Sequence, residues 1–301
     1  RRPGRFDREI EIGIPDNDGR FLEEILEFLD SQSDDNNGQP FCLVASFVNP
    51  HDVYVAQYEA DGTFGYRPED FNRVSVPLPK NCFEDLEYNN KPRGQLIMSI
   101  PYVPFENSPQ DYVNFYAYLH TLVDNQIAQL LDKLDEKKLT DDTLIIRFAD
   151  HGEQNLSHSL VEKLVNAYEE SIRIPFIFSN PVVYPMAQTT DSLVSSMDLV
   201  PTIARLLGVS DEYPDKFLGK DITPILRDPT QSVQDSIHFV YDDIPCYRSP
   251  SIIRCIRTSR YKYAVYFTRN GDDADWELYD LKYDPEENDN KAGWEKYGEV
   301  Q

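Results

Sequence analysis

An acidic and an imidazole side chain follow directly on an apolar run. The run occupies residues 143–149, and Asp150 and His151 come next in the chain. In open α/β sheets, ligands and catalytic groups collect at the carboxyl ends of strands, because the strand fixes the backbone while the following loop presents side chains. A carboxylate and an imidazole placed there can bind a divalent cation that holds an anionic group. The alternative is an ordinary strand-to-helix turn in which Asp150 acts as a cap.

A second candidate group follows another apolar run. Residues 41–48 are almost continuously apolar and are closed by Asn49 and Pro50, the pattern of a strand that is buried on both faces and stopped by a turn. His51 is then expected at the end of that strand. Because imidazole changes its protonation near neutral pH, His51 could act as a general acid. A turn histidine without a chemical role is equally compatible with these residues.

Alternating helices and strands are predicted to position these groups. The predicted helices are residues 21–29, 109–138 and 199–207, and the predicted strands among them are 41–48, 143–149 and 174–178. Such alternation indicates an α/β fold with a mixed, mostly parallel sheet flanked by helices.

The character of the sequence changes beyond about residue 229. Short stretches of strand-like composition then alternate with polar connections. They are residues 236–241, 252–258, 261–268 and 277–281. We therefore predict two domains: residues 1–228 form the α/β part, and residues 229–301 form a smaller carboxyl-terminal antiparallel sheet.

Composition limits the classes of function. The chain has 301 residues and a formal net charge of −24, which disfavours nonspecific attraction to nucleic acid or to an anionic membrane. No stretch approaches the roughly 20 apolar residues that a membrane helix requires, and residues 1–5 lack the apolar core of a signal peptide. Cys246 and Cys255 could bridge neighbouring strands, or the cysteines could be free buried thiols.

Five segments, in the same order along the chain, resemble the sulfatase branch of the alkaline phosphatase superfamily. The segments are residues 49–52, residues 149–153 with His158, Leu160 and Lys163 following, residues 168–175, residues 196–202 and residues 278–287. Their order and number make coincidence improbable. The resemblance implies an incomplete alkaline phosphatase-like fold and a hydrolase that acts on sulfuric esters.

The resemblance also implies roles for individual residues. Asp150 and His151 would bind the metal, which in the family is calcium, although an imidazole ligand is unusual for calcium and leaves the identity of the ion open. Lys163 would hold a sulfate oxygen and offset charge that develops toward the leaving group. His51 would contact the sulfate and assist departure of the alcohol, and His158 would line the substrate pocket. The residue-level alternatives are a solvated lysine and two loop histidines.

One part of the family pattern is missing. Sulfatases carry an early Cys-x-Pro-x-Arg segment, or a serine version, whose nucleophile is converted to formylglycine, and a pair of metal-binding aspartates precedes it. Neither occurs in this chain. We therefore expect that residues 1–301 correspond to the later two-thirds of a sulfatase and are inactive alone. A complementary amino-terminal chain could supply the formylglycine, whose hydrate would attack the sulfate.

Three functional hypotheses follow. The first is a metal-dependent sulfatase whose substrate is a sulfated carbohydrate or a small alkyl or aryl sulfate. The second is a phosphonate or phosphate ester hydrolase of the same superfamily, since a metal and a cationic side chain suit any tetrahedral anion. The third is a noncatalytic binding fragment. The family resemblance further implies a secreted, periplasmic or lumenal location.

Overall fold

The computed structural model describes residues 17–32, 40–54, 66, 71–99, 108–210, 216–243 and 249–299. Their helices are α1 (Asn17–Ser31), α2 (Arg93–Ser99), α3 (Pro109–Glu136), α4 (Glu169–Ile172), α5 (Leu199–Leu206) and α6 (Thr223–Arg227). Their strands are β1 (Ile145–Phe148), β2 (Phe176–Ser179), β3 (Ser236–Tyr241), β4 (Ile252–Thr258), β5 (Tyr261–Phe267) and β6 (Ala274–Asp280). Short 3-10 turns lie at Ser157–Ser159, Ser196–Asp198 and Glu295–Tyr297.

The described residues divide between two compact units. One unit draws on Arg1–Pro79, Val103–Leu144 and Asn180–Val182, and the other on Lys80–Tyr102, Ile145–Ser179 and Val183–Gln301. The sequence-based domain boundary near residue 229 stays a prediction. Within the described residues, no helix is long and apolar enough to cross a membrane.

The long helix α3 organises the first unit. It begins as the sequence predicts, with Pro109 in the first turn and the Ser108 side chain accepting a hydrogen bond from the Gln110 backbone N–H. Its inward stripe is buried and includes Phe115 and Leu119, neither of which has exposed surface. α1 packs beside it, with Asp30 of α1 within 3.3 Å of Lys133 of α3.

The prediction of a buried strand at residues 41–48 is wrong for the described structure. These residues join no β-ladder, and the side chain of Val44 is 81% exposed. An apolar run becomes a strand only when a neighbouring strand accepts and donates its backbone hydrogen bonds. No described residue of this unit supplies such a neighbour, so the segment forms no strand.

The second unit contains both sheets. β1 and β2 pair antiparallel, with Ile145 opposite Ser179 and Phe148 opposite Phe176. This pair is the part of the predicted mixed sheet that the described residues show, and its predicted burial is incomplete, since Phe148 and Ile177 are each 47% exposed. A strand pair without covering layers on both faces leaves such side chains at the surface.

The predicted carboxyl-terminal sheet is confirmed. β3, β4, β5 and β6 form an antiparallel meander in chain order. Its inner face packs on residues 160–168 through two buried clusters. The clusters consist of Val165, Ala167, Ile253, Cys255, Ala264 and Tyr266, and of Leu86, Leu160, Tyr168 and Tyr279. Cys255 is a free buried thiol, and its predicted alternative partner Cys246 lies outside the described residues.

Asp198 fixes the start of α5. Its side chain has 1% exposed surface and accepts hydrogen bonds from the backbone N–H groups of Ser195 and Lys220 and from the Gln234 side chain. One carboxylate therefore joins three segments of the chain. Removing this buried carboxylate takes the acceptor from three part-buried hydrogen bonds.

Asp198→Ala is expected to lower the free energy of unfolding by about 3 kcal/mol, because three charge-assisted hydrogen bonds to a buried carboxylate are lost. Urea unfolding measures the change. Asp228→Ala is the matched control, since Asp228 accepts hydrogen bonds from Thr230 and Gln231 at the surface. Equal losses in the two variants would contradict the role given to burial.

Candidate functional site

The turn after β1 presents the two predicted metal ligands together. Asp150 is 86% exposed at its side chain and His151 is 38% exposed. The Asp150 Oδ2 atom lies 3.5 Å from His151 Nε2, and Asp150 Oδ1 accepts a hydrogen bond from the His151 backbone N–H at 2.9 Å. The strand-end pattern thus brings a carboxylate and an imidazole to one exposed place.

The orientation of the His151 ring fits a cation. His151 Nδ1 lies 2.8 Å from the carbonyl oxygen of Gly152. Because a carbonyl oxygen can only accept a hydrogen bond, Nδ1 is the donor in this contact, and a neutral ring would then have its lone pair on Nε2. Nε2 faces a carboxylate oxygen, and a cation bound between the two atoms would stabilise that arrangement. Among the described residues, no group of three or more His, Cys, Asp or Glu side chains could hold a metal ion, so metal binding by Asp150 and His151 stays a prediction.

Gly152 holds this turn against α4. Its backbone N–H donates to the Ser171 carbonyl oxygen at 2.8 Å. A Cβ atom at this position would lie 1.9 Å from the Glu170 carbonyl oxygen. Only glycine permits that approach, so backbone packing requires the glycine that follows Asp150 and His151.

The segment around Lys163, residues 155–165, has an unusual backbone. Six non-glycine residues in it have positive φ angles between 46° and 72°: Asn155, Leu156, His158, Ser159, Glu162 and Val165. Such conformations cost free energy and persist only where surrounding contacts enforce them. Ser159 shows one such contact, since its Oγ donates to the carbonyl oxygens of Cys82 and Glu84 at 3.0 and 2.8 Å.

Lys163 extends from this segment with 26% of its side chain exposed. Its nearest carboxylate is Glu162, at 4.0 Å. The backbone of Glu162 is tied to the residues that follow Asp150 and His151, because its carbonyl oxygen accepts from the Gln154 N–H at 3.1 Å and its own N–H donates to the Glu153 carboxylate at 2.6 Å. The structure therefore links Lys163 through the backbone to the Asp150 turn.

His158 is placed inside the unit. Its side chain has no exposed surface, it stacks on Tyr168 with ring centroids 3.7 Å apart, and its Nδ1 lies 2.5 Å from Glu84 Oε2. Its Nε2 faces Asn81 at 3.2 Å and Glu170 at 4.0 Å. A substrate would have to meet His158 at Nε2, and that contact stays a prediction.

His51 belongs to the first unit, next to a cis peptide bond between Asn49 and Pro50. The Asp18 carboxylate accepts hydrogen bonds from the backbone N–H groups of Val48 and Asn49 at 2.6 and 2.9 Å. These bonds fix the backbone just before His51. The structure positions the half-buried His51 by this turn rather than by a paired strand.

A buried acid sits directly after His51. Asp52 is 2% exposed and accepts a hydrogen bond from the Tyr66 hydroxyl at 2.6 Å. Burial raises the pKa of Asp52, and the Tyr66 hydrogen bond acts in the opposite direction. The pair ties the turn that carries His51 to Tyr66.

A buried ionic network beside α4 was missed at the level of the sequence. Lys262 has no exposed side-chain surface and contacts Glu169 and Glu287, while the equally buried Lys91 contacts Glu84. One signal was available. Lys262 shares the face of β5 with Ala264 and Tyr266, and every second residue of that strand is buried. A lysine on the buried face of a strand requires anionic partners.

Glu287 is expected to make stability depend on pH. Burial raises its pKa to about 7, against the opposing effects of Lys262 and of the Glu169 N–H. The folded state then binds more protons than the unfolded state between pH 4.5 and about 7, so stability falls as pH rises through that window. Glu287→Gln removes this effect. As the pH rises from 5 to 8, the stability of the wild type should therefore fall relative to that of the variant, as measured by thermal unfolding.

Glu286→Gln is the control for that titration. Glu286 is exposed, and Lys80 lowers its pKa, so its contribution to stability is lost only as pH falls below about 4.5. The difference between Glu286→Gln and the wild type should stay flat from pH 5 to pH 8. A flat difference for Glu287→Gln as well would refute the raised pKa.

The described helices and sheets define the class of protein to which the chain belongs. This is an α/β protein of the alkaline phosphatase type with a smaller antiparallel sheet. The sequence pattern of the family described as Sulfatase matches residues 8–209, and that of the N-sulphoglucosamine sulphohydrolase C-terminal region matches residues 157–301. The chain belongs to the sulfatase family.

Individual relatives agree with this assignment. The chain is 28% identical over 278 residues to the Delta 4,5-hexuronate-2-O-sulfatase of Bacteroides thetaiotaomicron. The alignment covers 87% of this chain and 54% of that protein. It is 28% identical over 270 residues to the choline-sulfatase of Rhizobium meliloti, and the alignment covers 88% of this chain and 48% of that protein. A solved structure of a 2-O GAG sulfatase superposes with a TM-score of 0.76 at 28% identity, covering 94% of this chain and 60% of that one. The chain thus spans about half the length of the curated relatives it matches.

Proposed function

We propose that the protein carrying this chain hydrolyses sulfuric esters with the help of a divalent metal ion. The observation that carries the proposal is the donor pair at the end of β1, where Asp150 Oδ2 and His151 Nε2 lie 3.5 Å apart on an exposed turn within a chain of the sulfatase family. A metal bound there would hold an anionic group and stabilise negative charge beside it. We infer calcium from the family, with the imidazole ligand leaving room for another divalent ion.

Two side chains are proposed to act on the ester. Lys163 holds a sulfate oxygen through its compact positive charge. That charge lowers the activation barrier most when it lies beside the negative charge that develops in the transition state. His51 donates a proton to the departing alcohol oxygen, a task suited to imidazole. His158 is proposed as a neighbour of the substrate through its Nε2 atom. The partial exposure of Lys163 supports its role, since a structural lysine of this unit, such as Lys262, is instead buried among carboxylates.

The nucleophile is proposed to come from outside residues 1–301. No Cys-x-Pro-x-Arg or corresponding serine segment occurs in this sequence, and the family resemblance assigns that segment to a formylglycine. We infer that a further segment or a complementary chain supplies it. The apolar run 41–48 supports this inference, because it pairs with no strand among the described residues and its Val44 is 81% exposed, so another segment could pair with it and cover it.

The substrate class and location are inferred from the relatives. The names of the relatives specify a hexuronate sulfate and a choline sulfate, so both a sulfated sugar and a small alkyl sulfate fit the proposal. The net charge of −24 disfavours a long polyanion, unless cationic residues or a metal receive it locally. We infer a secreted, periplasmic or lumenal location from the family.

The test is competitive turnover by the full-length protein. Aryl sulfate, aryl phosphate and aryl phosphonate monoesters are offered separately and in pairs, with and without removal of divalent metal by a chelator. We expect the sulfate to have the highest kcat/KM and chelation to abolish its turnover. Asp150→Asn should act like chelation, whereas Asp142→Asn, on the exposed turn before β1, should not. Preference for the phosphonate would instead indicate a phosphonate ester hydrolase of the same superfamily. Absence of all turnover would favour a noncatalytic binding protein.

A further inference from the structure

A buried lysine anchors α4 to the carboxyl-terminal sheet. Lys262 lies in β5, opposite Tyr279 of β6, and its side chain has no exposed surface. Its Nζ lies 2.7 Å from Glu287 Oε1 and 2.9 Å from Glu169 Oε1, and it donates to the Ala167 carbonyl oxygen at 2.9 Å. Two of these partners, Ala167 and Glu169, are the residues that lead into and begin α4.

The side chain of Glu287 binds the backbone at the same end of α4. Its Oε2 accepts a hydrogen bond from the Glu169 N–H at 2.7 Å. Its carboxylate thus bridges the lysine of the sheet and the first amide of the helix. Arg257 of β4 adds an ion pair to Glu169 at 3.4 Å. The start of α4 is therefore fixed by a backbone bond and by two cations.

The other end of α4 holds the turn that carries Asp150 and His151. The Ser171 carbonyl oxygen accepts from the Gly152 N–H, and the Ser171 Oγ accepts from Gln154 Nε2 at 2.8 Å. Gly152 follows His151 directly. A helix of four residues has little stability of its own, so its position depends on external contacts. A displacement at Glu169 is therefore transmitted to Gly152 over a single helical turn.

We propose that Lys262 and Glu287 are positioning residues for metal binding, because they fix α4 and α4 fixes the turn that presents Asp150 and His151. The proposal rests on the function proposed above. Lys262 and Glu287 touch neither metal nor substrate in this role. They act through the Gly152–Ser171 hydrogen bond, as outer contacts of metal ligands commonly do.

The chemistry of the network favours positioning over simple stabilisation. Moving a lysine and two carboxylates out of water is costly, and an apolar replacement of similar volume often stabilises a fold as well or better. Ion pairs have fixed partners and directions, whereas an apolar contact tolerates sliding. The network therefore suits a place where the position of α4 matters more than the gain in stability.

The test uses the full-length protein at pH 8, where Glu287 is ionised. The variants are Lys262→Met and Glu287→Gln, and the control is Arg254→Met, which removes the exposed ion pair of β4 with Asp242. Isothermal titration with Ca²⁺ gives the metal Kd, and hydrogen exchange by NMR gives the protection of the Gly152 amide. Thermal unfolding is recorded in parallel.

We expect both variants to raise the metal Kd by about tenfold or more and to lower the protection of the Gly152 amide. Amides of α5 should keep their protection, and Arg254→Met should resemble the wild type throughout. Variants that unfold at lower temperature but keep the wild-type Kd and Gly152 protection would overturn the proposal, because they show a purely structural network. If Lys262→Met does not fold, Glu287→Gln decides, since it keeps the size and an acceptor oxygen of Glu287.

The two proposals fail separately. A wild-type protein that binds no Ca²⁺ or other divalent ion would refute the proposed function. The exchange of the Gly152 amide would still report whether Lys262 and Glu287 position the turn. Unchanged exchange in the variants overturns the positioning role whatever the metal titration shows.

Discussion

Gly152→Ala is expected to abolish productive metal binding. The added Cβ would lie 1.9 Å from the Glu170 carbonyl oxygen and 3.0 Å from the Glu170 carbonyl carbon. These are backbone atoms, so no change of rotamer relieves the overlap. The turn must move away from α4, which breaks the Gly152–Ser171 hydrogen bond and displaces Asp150 and His151. A misplacement of about 1 Å commonly costs a factor of about 10² in rate.

The measurements are the metal Kd and kcat/KM of the full-length protein. Gly271→Ala is the matched control: Gly271 lies in the turn between β5 and β6 with a φ of 70°, and a Cβ there would meet no atom within 4 Å. Because the control strains only its own backbone, it should cost about 1–3 kcal/mol of stability and leave metal binding intact. Wild-type metal affinity in Gly152→Ala would show that the turn does not depend on α4.

Much of the fold could be predicted because its signals are local. The Ser108–Pro109 start of α3 and the glycine after α5, with a φ of 73° at Gly208, each satisfy conditions set within a few residues. The alternation of β5 likewise predicts a strand with one buried face. Such elements need little information from the rest of the chain.

The strand predicted at residues 41–48 shows the limit of local signals. Its apolar residues satisfy the pattern of a buried strand, but a strand is completed by hydrogen bonds to another segment. The described residues provide no such partner, and Val44 is exposed. The element depends on a neighbour that the run itself does not specify.

In the candidate site, too, local features could be predicted from the sequence, whereas contacts between distant residues could not. That Asp150 and His151 lie together after a strand could be predicted, because the strand and the two residues are adjacent in sequence. The burial of His158 could not, because Glu84 and Tyr168, which enclose its ring, lie 84 positions apart in the sequence. The Lys262–Glu287 pair joins residues 25 positions apart through a sheet, a relation that periodicity alone does not reveal.

Lys163→Met is expected to reduce kcat by a factor of about 10²–10³, which is the usual cost of losing one group that stabilises transition-state charge. Methionine keeps most of the length of the side chain and removes the positive charge. Stability should change little, because the Lys163 side chain is 26% exposed and its nearest carboxylate is 4.0 Å away. Steady-state kinetics with an aryl sulfate and thermal unfolding measure the two effects.

Lys220→Met separates this local effect from a general loss of positive charge. Lys220 is exposed, and its backbone N–H rather than its side chain makes the hydrogen bond to Asp198. The control should keep the wild-type kcat, and because both variants change the net charge equally, any long-range effect on substrate approach appears in both. A loss confined to kcat/KM and shared by the two variants would assign the effect to steering. A fall in kcat that only Lys163→Met shows places the charge at the reacting sulfate, since steering alters encounter and cannot lower turnover of a bound ester.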